Sequence, residues 1–247
     1  MLNNLLLLSG NDIPFVSAQI AIHQPTIKEI GYIGEQSFFS GCELLNFSKN
    51  KFLDQEDKVH LVNMNDFEVF MSIMNDARAQ AGKINAMMIL SLLFPNYTIH
   101  FTSQIVLINN NDEKDIHYIK SDNFEEFKNI ISSMFCLNSK KVKEQDYNPQ
   151  GKMAKQIADK LRTNKAKIAK QKGTTIENIS IFSRYISILA VGEHKNINDL
   201  MNYTVYQLYD EFERFELNQA YDFSFRARLA GATDIDDVDN WMKELHP

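Results

Sequence analysis

The stretch that decides the fold class is residues 97–135, "YTIHFTSQIVLINNNDEKDIHYIKSDNFEEFKNIISSMF". Residues 97–108 and 115–120 are rich in β-branched and aromatic residues, so they predict two strands, and the turn-forming run "NNNDEK" between them predicts a hairpin loop. Asp122 is placed to cap a helix over the residues that follow. In that helix the apolar residues recur at helical spacing on one face (Phe124, Phe127, Ile130, Ile131, Met134 and Phe135). A strand pair followed by an amphipathic helix predicts the α+β class.

Upstream of this unit, residues 1–24 predict a second strand pair. One strand lies in "MLNNLLLLSG", the turn is "SGNDIP", and the other strand lies in "AQIAIHQ". Thr26 and Glu29 then form the capping box "TIKE", which predicts a helix from Ile27. Gly31 and Gly34 fall inside that helix, where each costs about 0.5–1 kcal/mol relative to alanine. We therefore expect a close backbone neighbour at these two glycines.

The remaining elements are helical. Asp66 is placed to cap the helix "FEVFMSIMN", and another helix is predicted over "INAMMILSLLF". From Ile176 onward every segment reads as helix, and Thr204 with Gln207 forms a second capping box, "TVYQ". The prediction is an α+β domain over residues 1–137, a basic linker or helix over 138–175, and an all-helical region over 176–247.

Composition and motifs argue against catalysis and against a membrane span. The chain has 44% hydrophobic and 23% charged residues, which is typical of a soluble globular protein, and it has no apolar run near 18 residues. Cys42 and Cys136 are isolated, and the histidines are scattered singly, although His100 and His117 lie on adjacent predicted strands. No nucleophile elbow, P-loop or dinucleotide-binding loop is present. We expect no enzyme activity, no cofactor and no metal site.

Charge is distributed unevenly along the chain. Residues 139–173 contain 11 Lys or Arg and three acidic residues, a net charge of +8, which leaves −14 for the rest of a chain whose total is −6. The central cations of this basic segment are Lys152, Lys155, Lys160, Arg162, Lys165 and Lys167. Three interpretations remain open: a solvated helix or linker, a contact with an acidic protein surface, or nucleic-acid binding. Nucleic acid is disfavoured, because aromatics are not interleaved with the cations and the rest of the chain is acidic.

The C-terminal helices carry more aromatic residues than one helical face needs for packing. A tyrosine left on the surface there would form an adhesive patch for another protein. The predicted partner-binding residues are Tyr203, Tyr206, Tyr209, Phe212 and Phe215.

The two ends of the chain resemble a family encoded in the tail-gene clusters of long-tailed bacteriophages. The resemblance lies in "IHQPTIKEIGYIGEQSFF" near the start and in "LMNYTVYQLYDEFERFELNQAYDFSFRARLAGATDIDDVDNWMKELHP" at the end. Members share the Gln-Pro-Thr capping element, the helix of "YQLYDEF" type and the Leu-Ala-Gly-Ala turn. Between the two ends, the chain and the family agree only in the order of elements.

The resemblance implies a tail assembly chaperone, which escorts the tape measure protein while the tail tube polymerises around it. The implied partners are the tape measure and tail tube proteins, with self-association as a further possibility, in the cytoplasm of the infected host. Two alternatives stay open. One is a structural virion component, such as a tail or head–tail connector protein, and the other is a nucleic-acid-binding module that uses residues 139–173.

Overall fold

The computed structural model of the chain describes residues 3–48, 64–76, 80–137, 180–232, 239–243 and 245. In these ranges the helices are α1 (Asn4–Ser9), α2 (Ile27–Ile33), α3 (Glu35–Leu45), α4 (Asp66–Asn75), α5 (Gln80–Leu93), α6 (Phe124–Met134), α7 (Ile181–Gly192), α8 (Ile197–Met201) and α9 (Val205–Leu229). The strands are β1 (Ile13–Phe15), β2 (Ile20–Ile22), β3 (Tyr97–Phe101), β4 (Ile105–Asn109) and β5 (Ile116–Ile119). A 3-10 turn, Val16–Ala18, joins β1 to β2.

Two small antiparallel sheets lie in the N-terminal part. β1 pairs with β2, with Ile13 opposite Ile22, and the second sheet has the order β3-β4-β5. The described C-terminal helices, α7 to α9, follow without a strand. The α+β class predicted from the sequence is confirmed.

The structure differs from the prediction at two strands. The leucine-rich run near the N-terminus is the helix α1, because the Asn3 side chain accepts a hydrogen bond from Leu5 N and Gly10 ends the helix in the left-handed region, at φ +69°. Residues 97–108 form two strands rather than one, since the chain reverses at Thr102–Gln104. Because β4 therefore separates β3 from β5, His100 and His117 are not cross-strand neighbours.

Both predicted capping boxes are present, and they lie against each other. The Thr26 hydroxyl accepts from Glu29 N and the Thr204 hydroxyl accepts from Gln207 N, each with the reciprocal side-chain bond to the cap. The backbones of Thr26 and Thr204 form an antiparallel bridge, and Ile27 N donates to the Tyr203 carbonyl oxygen at 2.8 Å. This contact joins the start of α2 to the start of α9.

One aromatic core connects the two parts of the chain. The Phe38 ring on α3 lies 4.9 Å from that of Phe135, which follows α6, and 5.9 Å from that of Phe182 on α7, measured between ring centroids. All three side chains are buried. The C-terminal helices therefore pack directly on the N-terminal part. The predicted segment 138–175 lies outside the described residues.

The close approach expected at Gly31 and Gly34 is wrong for this chain. A Cβ at either glycine would have no heavy atom of another described element within 4 Å, and Gly34 serves instead as the break between α2 and α3, at φ +85°. The close approach occurs at Gly41 in α3, where a Cβ would lie 2.7 Å from the Asn85 carbonyl oxygen of α5. This glycine is buried, and it allows α3 and α5 to pack closely.

Candidate partner-binding surfaces

The five aromatic residues predicted to bind a partner pack inward. Tyr206 and Phe212 are 4% exposed. Tyr203, Tyr209 and Phe215 are half-buried against the same core. The first half of α9 contacts α1, α6 and α7, so more than one of its faces is covered. These five residues attach α9 to the rest of the protein, and their role in partner binding stays a prediction.

Ring stacking shows how tightly this half of α9 is held. The Phe212 ring stacks on that of Tyr185 in α7, with centroids 3.7 Å apart and planes at 8°. Tyr209 meets Tyr185 edge-on at 5.4 Å. Burial raises the pKa of both tyrosine hydroxyls, so both stay neutral at physiological pH.

Charged groups beside this aromatic cluster are used within the chain. The Lys195 ammonium pairs with Glu211 and, at 3.4 Å, with Glu193. Its Nζ also lies 5.6 Å from the centroid of the Tyr203 ring. Arg214 donates to the carbonyl oxygens of Trp241 and Lys243 at 2.8 and 2.7 Å, which holds the C-terminal segment against the middle of α9. Glu193, Glu211 and Arg214 border a pocket of about 380 Å³.

The uncovered aromatic surface lies farther along the same helix. Near the end of α9 four large apolar side chains are exposed: Tyr221 at 40%, Phe223 at 73%, Phe225 at 54% and Leu229 at 73%. We call these four residues together the distal α9 surface; Tyr221, Phe225 and Leu229 lie on one side of the helix and Phe223 on the other. Phe223 follows Phe212 by 11 residues, which is about three helical turns, so the buried stripe of α9 continues into solvent at Phe223. The excess of aromatics in the sequence signalled such a surface but not its position on the helix.

The cysteines and histidines form no reactive constellation in the described part of the chain. Burial, with help from the carboxylates of Glu213 and Asp210, raises the pKa of the Cys136 thiol to about 12. Burial alone raises the pKa of Cys42. His117 hydrogen-bonds Asp115 Oδ1 at 2.8 Å and the Ala18 carbonyl oxygen at 2.9 Å. Among the described residues, no group of three His, Cys, Asp or Glu side chains could hold a metal ion.

The basic segment, with Lys152, Lys155, Lys160, Arg162, Lys165 and Lys167, lies outside the described residues. No helix in the described ranges has the length and apolar character needed to cross a membrane.

Comparison with known proteins places the C-terminal part in a phage context. Residues 170–246, about a third of the chain, match the family described as the YomV second domain, and YomV is a Bacillus phage-region protein. Neither a search of curated proteins nor a search of solved structures found a match. The matched range contains α7, α8 and α9, and with them the distal α9 surface.

Proposed function

We propose that this protein acts in phage tail assembly as a non-enzymatic chaperone that binds the tape measure protein, the tail tube protein or both. The coarser part of this proposal, a phage association, rests on the similarity of residues 170–246 to a phage-region domain. The finer part rests on the resemblance carried by the two ends of the chain. Those two ends meet in the folded protein, at the bridge between Thr26 and Thr204.

The distal α9 surface is the observation that carries the chaperone proposal. Isolated exposed apolar side chains are ordinary, but here four large ones within nine residues expose apolar area on two sides of the end of α9, which suits contact with another protein. Helical partners with apolar seams are recognised by apolar stripes of this kind. We place the client contact at Phe223, which is the exposed continuation of the buried stripe of α9.

A pull-down from infected cells tests this function. The tagged full-length protein should capture the tape measure protein or the tail tube protein, and purified virions should lack it. Replacement of Phe223 by Ala should lower the captured amount at least severalfold, while replacement of the exposed polar neighbour Asn218 by Ala should leave it unchanged. Stoichiometric presence of the protein in virions would instead support a structural tail or connector component.

A further inference from the structure

A second uncovered apolar surface lies on α5. This helix buries Ala86, Ile89, Leu90 and Leu93 in the core. On another side, Ile84, Met88 and Leu92 follow each other at intervals of four residues, which places them in one row about 12 Å long. A helix with apolar residues on more than one side is normally covered on each of them. Here Ile84 is 53% exposed and Met88 is 38% exposed.

This row lines a groove, and one of the described residues around that groove carries a charged side chain. The groove has a volume of about 510 Å³ and is formed by Ile33, Lys83, Ile84, Met87, Met88, Ser91 and Leu92. Within the described ranges no carboxylate forms an ion pair with Lys83. Methionine side chains are flexible and adapt to different apolar partners. The groove therefore suits a helix with an apolar stripe and with an acidic side chain at the end of the stripe that lies beside Lys83.

The distal α9 surface has such a stripe. Tyr221, Phe225 and Leu229 also follow each other at intervals of four, so their row has the same length as the row on α5. Asp222 is adjacent in sequence to Tyr221, the first residue of this row. In the same way, Lys83 is adjacent to Ile84, the first residue of the row on α5. The Asp222 side chain is 47% exposed and pairs with Arg226 at 2.9 Å, which leaves its carboxylate accessible to a second cation.

We propose that copies of this chain associate by seating the Tyr221–Phe225–Leu229 stripe of one copy in the α5 groove of the next. The two helices run parallel, because only that direction brings Asp222 of one copy to Lys83 of the other. The two surfaces differ, so the contact is heterologous: in a dimer one copy keeps a free groove and the other keeps a free stripe. Such contacts build a ring or an open chain. The association is independent of the proposed client contact, which uses Phe223.

The contact is confined to two or three helical turns, so we expect weak association that depends on protein concentration. Sedimentation velocity of the full-length protein over a concentration series measures it. The expected result is a sedimentation coefficient that rises with concentration and rises less at high salt, since the Asp222–Lys83 pair is exposed to solvent. A wild-type protein that stays monomeric across the whole series would overturn the proposal.

A complementation experiment tests the head-to-tail geometry. Phe225→Glu damages the stripe and leaves the groove intact, whereas Met88→Glu damages the groove and leaves the stripe intact. Each variant alone should be monomeric. An equimolar mixture should form a dimer, in which the intact stripe of the Met88→Glu chain occupies the intact groove of the Phe225→Glu chain. The dimer should grow no further, because its other groove and its other stripe are both damaged. Association that persists in both single variants, or a mixture that stays monomeric, would refute the proposed contact.

Two controls separate this contact from misfolding and from other occupants. Phe223→Glu, on the other side of α9, should associate like the wild type, and all variants should keep the wild-type far-UV circular dichroism. Lys83→Glu and Asp222→Lys should each weaken association severalfold, and the double variant should recover it. A groove that instead serves an amphipathic helix of another protein would give no such recovery, and that result would reject the second copy as its occupant.

Discussion

Gly41 shows how a single residue sets the distance between two helices. It is buried in α3, facing Asn85 and Ile89 of α5, and it leaves no room for a side chain. Gly31 in α2 is its opposite, because it is exposed and has open space around it. The two glycines therefore form a matched pair for substitution by alanine.

Replacement of Gly41 by Ala should lower the free energy of unfolding by about 1–3 kcal/mol, since the new Cβ can be accommodated only by moving the backbone of α5. Replacement of Gly31 by Ala should raise it by about 0.4–1 kcal/mol, because alanine favours the helix and restricts the unfolded chain. Urea denaturation followed by circular dichroism measures both values. Equal effects at the two sites would contradict the packing described for Gly41.

At the scale of single elements, the capping boxes fix where α2 and α9 begin. Burial raises the pKa of the Glu29 carboxyl, but hydrogen bonds from Thr26 N and Oγ and the nearby His23 outweigh it, so the pKa lies below the usual value of 4.5. A carboxyl with a lowered pKa in the folded state binds protons less readily than in the unfolded state. Its contribution to stability is therefore present above about pH 4.5 and is lost as the pH falls through the folded-state pKa.

Replacement of Glu29 by Gln should lower the thermal midpoint at pH 7, and this effect should shrink as the pH is lowered below about 4.5, because proton binding then removes the stabilisation that the wild-type carboxylate supplies. The thermal midpoints of the wild-type and Glu29→Gln proteins are measured at several pH values, and the difference between them is followed as a function of pH. Glu113→Gln, at an exposed position in the loop between β4 and β5, is the control for the loss of one surface carboxylate. A Glu29→Gln effect that stayed constant from pH 3 to pH 7 would show that the ionisation of this carboxyl does not contribute to stability.

Several elements could be predicted because their signals lie within a few residues of each other. Thr26 with Glu29, Thr204 with Gln207, and the apolar face of α6 need no information from elsewhere in the chain. The run of leucines in α1 has neither helical nor strand periodicity, so the sequence did not separate the two. The reversal at residues 102–104 has no glycine or proline to mark it, and the three-stranded sheet was missed for that reason.

At the scale of the whole molecule, the core depends on contacts between distant parts of the chain. Phe38 contacts Phe135 beside α6 and Phe182 on α7. Glu35, at the start of α3, also accepts a hydrogen bond from Ile181 N at 2.6 Å and thereby caps α7. The helix α7 is consequently stabilised from the N-terminal part of the protein at two points.

Replacement of Phe38 by Ala should destabilise the protein by about 3–5 kcal/mol, the usual cost of truncating a buried phenylalanine. Amide hydrogen exchange should accelerate together in α6 and α7, because both helices lose the same packing partner. The exposed Phe225 is the matched control, and its replacement by Ala should change stability by less than about 0.5 kcal/mol. Faster exchange restricted to α3 would show that the two parts unfold separately.

The candidate surfaces could be predicted only in part, because contacts between distant parts of the chain decide which side chains are covered. The sequence showed that the last long helix has surplus aromatic residues, but α1, α6 and α7 together decide which of them are covered. Tyr206 and Phe212 are buried under those helices, whereas Phe223 and Phe225 extend past them. The sequence does not predict the α5 groove, because Ile84 and Met88 cannot be distinguished from core residues until the packing of α3 against α5 is known.

The hydrogen bond from Gln207 Nε2 to the Leu8 carbonyl oxygen joins residues 199 positions apart. A ribosome adding about 5–20 residues per second needs about 10–40 s to make the chain between them. The bridge from Thr26 to Thr204 is subject to a similar delay. During synthesis the N-terminal half therefore exists without the helix that completes it, and the order in which the chain emerges sets how long its apolar face stays open to neighbouring polypeptides.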